Sequence, residues 1–172
     1  MKPEEKVLLQ ATLCFPRKGN SVLFGRKTKK IGAGCRNGYG GGIKDGESIE
    51  EAAARELFEE STMVTQPEDL TKIAVVDFHN TKSDGEIFVC RVHVYTTENW
   101  TGEPKESDEM ADPVWFEMEE LPLDELMPAD PQWLPIALSG KKIIAEAYYG
   151  PFQKELLKPV VIREVDSFDE AI

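Results

Sequence analysis

Residues 41–63, GGIKDGESIEEAAARELFEESTM, decide how this chain is read. A glycine-rich turn runs into a helix. Ser48 with Glu51 three residues later forms a capping box, so the helix should start at Ile49. Ala52, Ala53, Ala54, Leu57 and Phe58 are good or tolerable helix residues, and no Gly or Pro follows until well past Ser61. On a wheel of about 100° per residue, Glu56, Glu59 and Glu60 share an arc of roughly 100° with Ala52, whose small side chain leaves room for a loop or ligand. Ala53, Ala54, Leu57 and Phe58 make the adjoining apolar side, expected to face the core. Three carboxylates on one patch repel one another, and either solvent or a bound cation relieves that. Hard divalent ions take oxygen ligands and are completed by substrate phosphates. Arg55, one turn before Glu59, is placed to tether a carboxylate or brace the turn before the helix. On charge alone, the same face reads equally as a solvated acidic surface.

The 172 residues suit one domain over 1–166, followed by a loose polar tail at 167–172. Hydrophobic content of 41% and charged content of 30% fit a globular chain. A net charge of −12 argues against nucleic-acid polymers and anionic membranes as partners, but not against a nucleotide whose charge is met by cations. Cys14, Cys35 and Cys90 form no CxxC pair, so neither a disulfide framework nor a zinc site is expected, and a reducing, cytoplasmic setting fits. The start, MKPEEKVLLQATL, is too acidic and too short in its apolar run for a signal peptide. No run of about 20 apolar residues is present.

Residues 6–15 read as a strand, with Leu9, Ala11, Leu13 and Phe15 alternating with Leu8, Gln10, Thr12 and Cys14. The second set is mixed, which suits either a pocket wall or a half-polar strand face. Residues 17–20 form a turn and 21–26 the return strand. The loop 27–42 carries six glycines (Gly32, Gly34, Gly38, Gly40, Gly41 and Gly42), a density that permits close backbone approach to a ligand. Strands follow at 71–79 and 86–96, joined by a turn at 80–85; a short helix is expected at 119–126. Asp130-Pro131 reads as a helix start with Asp130 as N-cap, and 142–149 with 159–164 as a closing hairpin.

Gly41, five residues, Glu47, seven residues, then Arg55-Glu56-Leu57-x-Glu59-Glu60 resembles the Nudix box, the signature of hydrolases that cleave nucleoside diphosphates linked to another moiety. Residues 31–41, IGAGCRNGYGG, and 106–116, ESDEMADPVWF, resemble the MutT-homologue branch of that family, the 8-oxo-dGTP diphosphatases that sanitise oxidised purine nucleoside triphosphates. The resemblance implies an α/β Nudix fold, with a mixed central sheet sandwiched between helices. It implies an enzyme that uses Mg²⁺, or Mn²⁺, to cut a nucleoside triphosphate to the monophosphate and pyrophosphate, with a small nucleotide as partner. A monomer is favoured over an oligomer.

By the same resemblance Glu56, Glu59, Glu60, Glu109 and the Gly40 carbonyl would hold metal, with Arg55 joining the glutamates in catalysis. Asn37 and Asp130 would read the base, and Lys27, Met110, Met127, Gln10 and Thr12 would line the pocket. Asn37 before Gly38 is also a favoured turn pairing. There are three departures from the pattern. Thr62 stands where the box has Gly, Ala129 where the branch has the first of two Asp, and Met127 where it has a pocket Trp. These leave another Nudix substrate as the alternative, namely a different nucleotide, an ADP-linked sugar or a pterin triphosphate. A non-catalytic nucleotide-binding module is a further alternative.

Overall fold

In a computed structural model, which describes residues 7–171, the decisive helix α1 spans Ile49–Ser61. Its capping box is complete: Glu51 N donates to Ser48 Oγ at 3.1 Å and Ser48 N to Glu51 Oε1 at 3.2 Å. Its end is strained. Thr62 sits at φ 67°, ψ 0°, the left-handed conformation that a β-branched residue adopts at a cost, while its N–H still closes the last turn on Phe58.

The wheel needs one correction. Ala52, Ala53, Leu57, Glu60 and Ser61 are buried, whereas Phe58 is 53% exposed. The buried face is therefore rotated onto the carboxylate arc, and Glu60 lies near its centre. The glycine loop makes this possible by offering a backbone N–H to Glu60.

Eight strands make one sheet: β1 (Gln10–Lys18), β2 (Ser21–Lys27), β3 (Arg36–Asn37), β4 (Thr71–Thr81), β5 (Ile87–Thr97), β6 (Met110–Glu117), β7 (Ile143–Tyr148) and β8 (Val161–Glu164). The order is β3-β2-β1-β5-β4-β7-β8, with β6 paired to β2. β1–β5 and β4–β7 are parallel, and the remaining ladders antiparallel, so the sheet is mixed. α1 covers one face. A second helix, α2 (Asp130–Leu138), covers the other, burying Trp133, Leu134, Ala137 and Leu138 in a core with Phe15, Val76 and Ala145. This is the expected α/β/α sandwich. No helix among the described residues is long and apolar enough to cross a membrane.

Several boundaries differ from expectation. β1 starts at Gln10 and runs on through Pro16 and Arg17 to Lys18; the expected start at Lys6 lies outside the described residues. β4 extends to Thr81, so Asn80 is a strand residue and the turn is shorter than expected. Residues 119–126 form two single 3₁₀ turns, Met118–Glu120 and Leu123–Glu125, because Pro122 interrupts them. Residues 168–171 do not trail free. Phe168–Ala171 forms a 3₁₀ turn, with Lys72 Nζ 5.9 Å from the Phe168 ring and the Arg91 guanidinium donating to the Ala171 carbonyl.

Candidate active site

The glycine loop is held against β1 by its own backbone. Thr12 N donates to the Gly41 carbonyl at 2.9 Å, and Cys14 and Tyr39 exchange a pair of bonds at 2.7 and 2.9 Å. A side chain at Gly40 would start 1.8 Å from the Thr12 carbonyl oxygen, and one at Gly41 2.7 Å from the Glu56 carboxylate. Glycine is therefore required at Gly40, where the neighbour is backbone, while a side chain at Gly41 would push the Glu56 carboxylate aside. The Tyr39 and Gly41 carbonyls are used in this ladder; the Gly40 carbonyl has no hydrogen bond among the described residues.

Arg55 organises the carboxylates from behind. It forks onto Glu47 (Nε–Oε2 3.0 Å, Nη2–Oε1 2.7 Å), and also donates to the Gly42 carbonyl, to Glu56 at 2.9 Å and to Glu59 at 3.2 Å. The Arg55 hydrogen bonds hold the Glu47 carboxyl down at about 2. Arg55 is not among the residues that line the cleft; its hydrogen bonds go to the carboxylates and to the Gly42 carbonyl.

Glu60 accepts from Gly40 N at 2.8 Å. Burial pushes its carboxyl up to about 8 against that bond, aided by a hydrogen bond with Glu109 and the charge of Glu56. Glu109 is lowered. Burial opposes this, but hydrogen bonding to Glu60 and the Lys30 ammonium 3.4 Å away prevail.

These groups open onto one cleft of about 700 Å³. Glu56, Glu59, Glu60, Glu109 and Gly40 line it, and so do Asn37, Asp130, Lys27, Met110, Met127 and Thr12. Gln10 does not. Its amide lies against His93 Nε2 at 3.0 Å, while the next three residues of β1, Ala11, Thr12 and Leu13, all line the cleft. Thr12 Oγ1 is buried without a partner.

Asn37 keeps its turn role, accepting from Gly38 N through Oδ1 at 2.8 Å. Asp130 is not an N-cap. It is the first residue of α2, buried, and accepts from Trp133 Nε1 at 3.0 Å. Burial pushes its carboxyl up to about 7. Burial likewise lowers the Lys27 ammonium. At Ala129, the backbone N–H is met by the Tyr149 hydroxyl at 2.8 Å. Sequence reasoning missed Trp133, Tyr149, Phe78, Asn80, Phe152 and Gln153 in the lining. Only the β4 alternation, which puts Phe78 and Asn80 on one face, carried a signal for any of them.

The donor set fits a hard divalent ion. It is all oxygen, and Glu60 cannot ionise readily beside Glu56 and Glu109 without a positive charge. As placed, no three such groups among the described residues converge on one point; Arg55 holds Glu56 and Glu59 instead.

The model of the NUDIX domain matches residues 8–136. An oxidized purine nucleoside triphosphate hydrolase of Danio rerio is 38% identical over 142 residues, 83% of this chain and 85% of that protein. The protein of the same description from Mus musculus is 34% identical over 157 residues, 91% and 96%. A crystal structure of a MutT protein from Bacillus halodurans superposes with a TM-score of 0.73 at 21% identity, over 90% of this chain and 97% of that one. That likeness extends to the fold. Divalent metals are general to such hydrolases. The chain belongs to the Nudix hydrolase family.

Proposed function

We propose that this chain hydrolyses purine nucleoside triphosphates, oxidised ones such as 8-oxo-dGTP among them, to the monophosphate and pyrophosphate, and so cleanses the nucleotide pool. One observation carries the reading: a single cleft is lined by Glu56, Glu59, Glu60 and Glu109 together with Asn37 and Asp130. The names of the two relatives point the same way.

Glu56, Glu59, Glu60, Glu109 and the Gly40 carbonyl are the residues that would hold Mg²⁺ or Mn²⁺. Such an ion, when bound, supplies Lewis-acid polarisation of phosphoryl oxygens and lowers the pKa of water. Arg55 keeps the glutamates turned toward the cleft, Glu109 orients water, and Lys27 meets phosphate charge. Asn37 presents its amide N–H₂ to the base, while Asp130, protonated in its buried site, donates as well as accepts. The acidic surface suits a free nucleotide over a nucleic-acid polymer. A monomer in the cytoplasm is the setting we assign.

The runner-up is another Nudix substrate, favoured by Ala129 and Met127. With Tyr149 bonded to the Ala129 N–H, the pocket has one acidic reader at this point. Pyrophosphate release with Mg²⁺ across 8-oxo-dGTP, 2-hydroxy-dATP, the four normal dNTPs, ADP-ribose and dihydroneopterin triphosphate decides between them. A tenfold or greater lead in kcat/KM for an oxidised purine, on the order of 1.4 kcal/mol, supports sanitation. Metal-dependent turnover led by ADP-ribose or the pterin supports the runner-up, and the absence of any turnover leaves a binding module.

A further inference from the structure

The connection between β7 and β8 contains two consecutive non-glycine residues in the left-handed region, Phe152 at φ 60° and Gln153 at φ 54°. Strain of that kind persists only where its surroundings over-determine it, and it concentrates at ligand clamps. Here the surroundings are the cleft. Both residues line it, and Gln153 Nε2 donates to Asn80 Oδ1 at 2.8 Å, clipping the turn to the end of β4. Asn80 is buried. An apolar contact would hold the turn as well without burying an amide; a buried amide in a cleft wall has use when its remaining polar atoms face something polar.

The clip uses one donor and one acceptor. Asn80 Nδ2 and Gln153 Oε1 have no hydrogen-bond partner among the described residues. They form an adjacent donor and acceptor. If both amides rotate together the clip is kept and the order reverses, so the pair matches either a lactam or an amidine edge. Position adds the second argument. β4 stands two strands from β1 in the order β1-β5-β4, about 10 Å across the sheet from the glycine loop. A purine reaches one fused ring further than a pyrimidine.

We propose that Asn80 and Gln153 are specificity-determining residues that read the outer edge of a purine base, with Phe152 as the wall behind it. This rests on the reading of the chain as a nucleoside triphosphate hydrolase. It supplies polar recognition beyond Asn37 and Asp130 in a pocket where Ala129 offers none.

The test is steady-state kinetics of the wild type, Gln153→Leu, Asn80→Leu and the double variant on purine and pyrimidine deoxynucleoside triphosphates, with thermal melts of each. The purine-to-pyrimidine ratio of kcat/KM should fall about tenfold in either single variant, through KM for purines. The double variant should lose little more than the worse single one, since the pair acts as a unit. A wild type active on purines, with folded variants that keep its ratio or lose all substrates equally, overturns this inference and leaves the proposed function standing. A wild type inactive on every nucleoside triphosphate overturns both. Gln153→Leu carries the decision if Asn80→Leu melts early, because Gln153 is half-buried in a turn with no fully buried residue, whereas Asn80 is buried.

Discussion

The two ends of the cleft are built in different ways. At the carboxylate end the glutamates of α1 and the turn before it have partners drawn from one short stretch: Arg55 binds Glu47, Glu56, Glu59 and the Gly42 carbonyl, and Gly40 binds Glu60. At the base end, single polar groups stand in apolar walls supplied by distant segments: Asn37 from β3, Asp130 from α2, and Asn80 and Gln153 from β4 and the β7–β8 connection. The first arrangement holds charge in a fixed place, as phosphoryl chemistry requires. On the proposed function, the second would discriminate by leaving few polar groups to be satisfied, so that a wrong partner leaves one of them unpaired. Changes at the first end should therefore strike turnover and stability, and changes at the second should strike selectivity.

The largest effect belongs to Glu60. Glu60→Gln keeps the bond from Gly40 N but removes the charge, and kcat should fall by more than about 100-fold, since changes even to groups that merely orient metal ligands cost 10–100-fold. Melting measured without metal should not fall, because the variant no longer buries a carboxyl whose pKa stands at about 8. A variant that unfolds instead would make Glu60 a structural group.

Next is Arg55. Arg55→Ala leaves Glu47 and Glu56, both mostly buried, without their cation. Urea unfolding should report a loss of about 2–3 kcal/mol. A loss below about 0.5 kcal/mol would show that the fork is solvated.

The third sharpens the contrast by pH. Burial raises the Asp130 carboxyl to about 7 in the fold, against an ordinary value of 3.8. Between those values the unfolded chain gives up this proton first. The contribution is therefore fully present below about pH 4, falls as pH rises, and is gone above about pH 7. Asp130→Asn should abolish this dependence, making the variant more stable than the wild type at pH 8 by an amount absent at pH 4, while raising KM for purines. His93 runs the other way. Burial first, then the Lys72 and Arg91 charges, lower it to about 4, so its contribution is present above pH 6.5 and is lost as pH falls. Melting curves across pH 4–8 of both the variant and the wild type separate the two.

The smallest effect is at Thr62. Thr62→Gly relieves the left-handed strain at φ 67° and should stabilise the chain by about 1 kcal/mol. Unchanged melting would mean that the hydroxyl, 3.3 Å from the Glu103 carbonyl, already compensates.

The same contrast explains what could be read from the amino-acid order. The capping box, the span of α1 and the grouping of Glu56, Glu59 and Glu60 follow from local rules at spacings of three and four, and they stand as expected. Phe58 and Glu60 exchanged roles because a wheel assigns glutamate to solvent, and it has no knowledge of a glycine loop that offers an N–H. Gln10 was misplaced although Thr12, on the same side of β1, lines the cleft, because alternation does not say how far along a strand a cleft extends. Asp130 looked like a cap because Asp-Pro commonly begins a helix, yet its carboxyl is held by Trp133, three residues on. Asn80 and Gln153 are 73 residues apart, and only the β4–β7 ladder brings them together.

The most direct measurement is kcat and KM for 8-oxo-dGTP in the wild type, Glu60→Gln and Asp130→Asn, assayed side by side with Mg²⁺. The account predicts that Glu60→Gln loses kcat with KM nearly held, and that Asp130→Asn raises KM with kcat nearly held. If both variants lowered the same parameter by the same factor, the division of the cleft into a chemical end and a reading end would be contradicted.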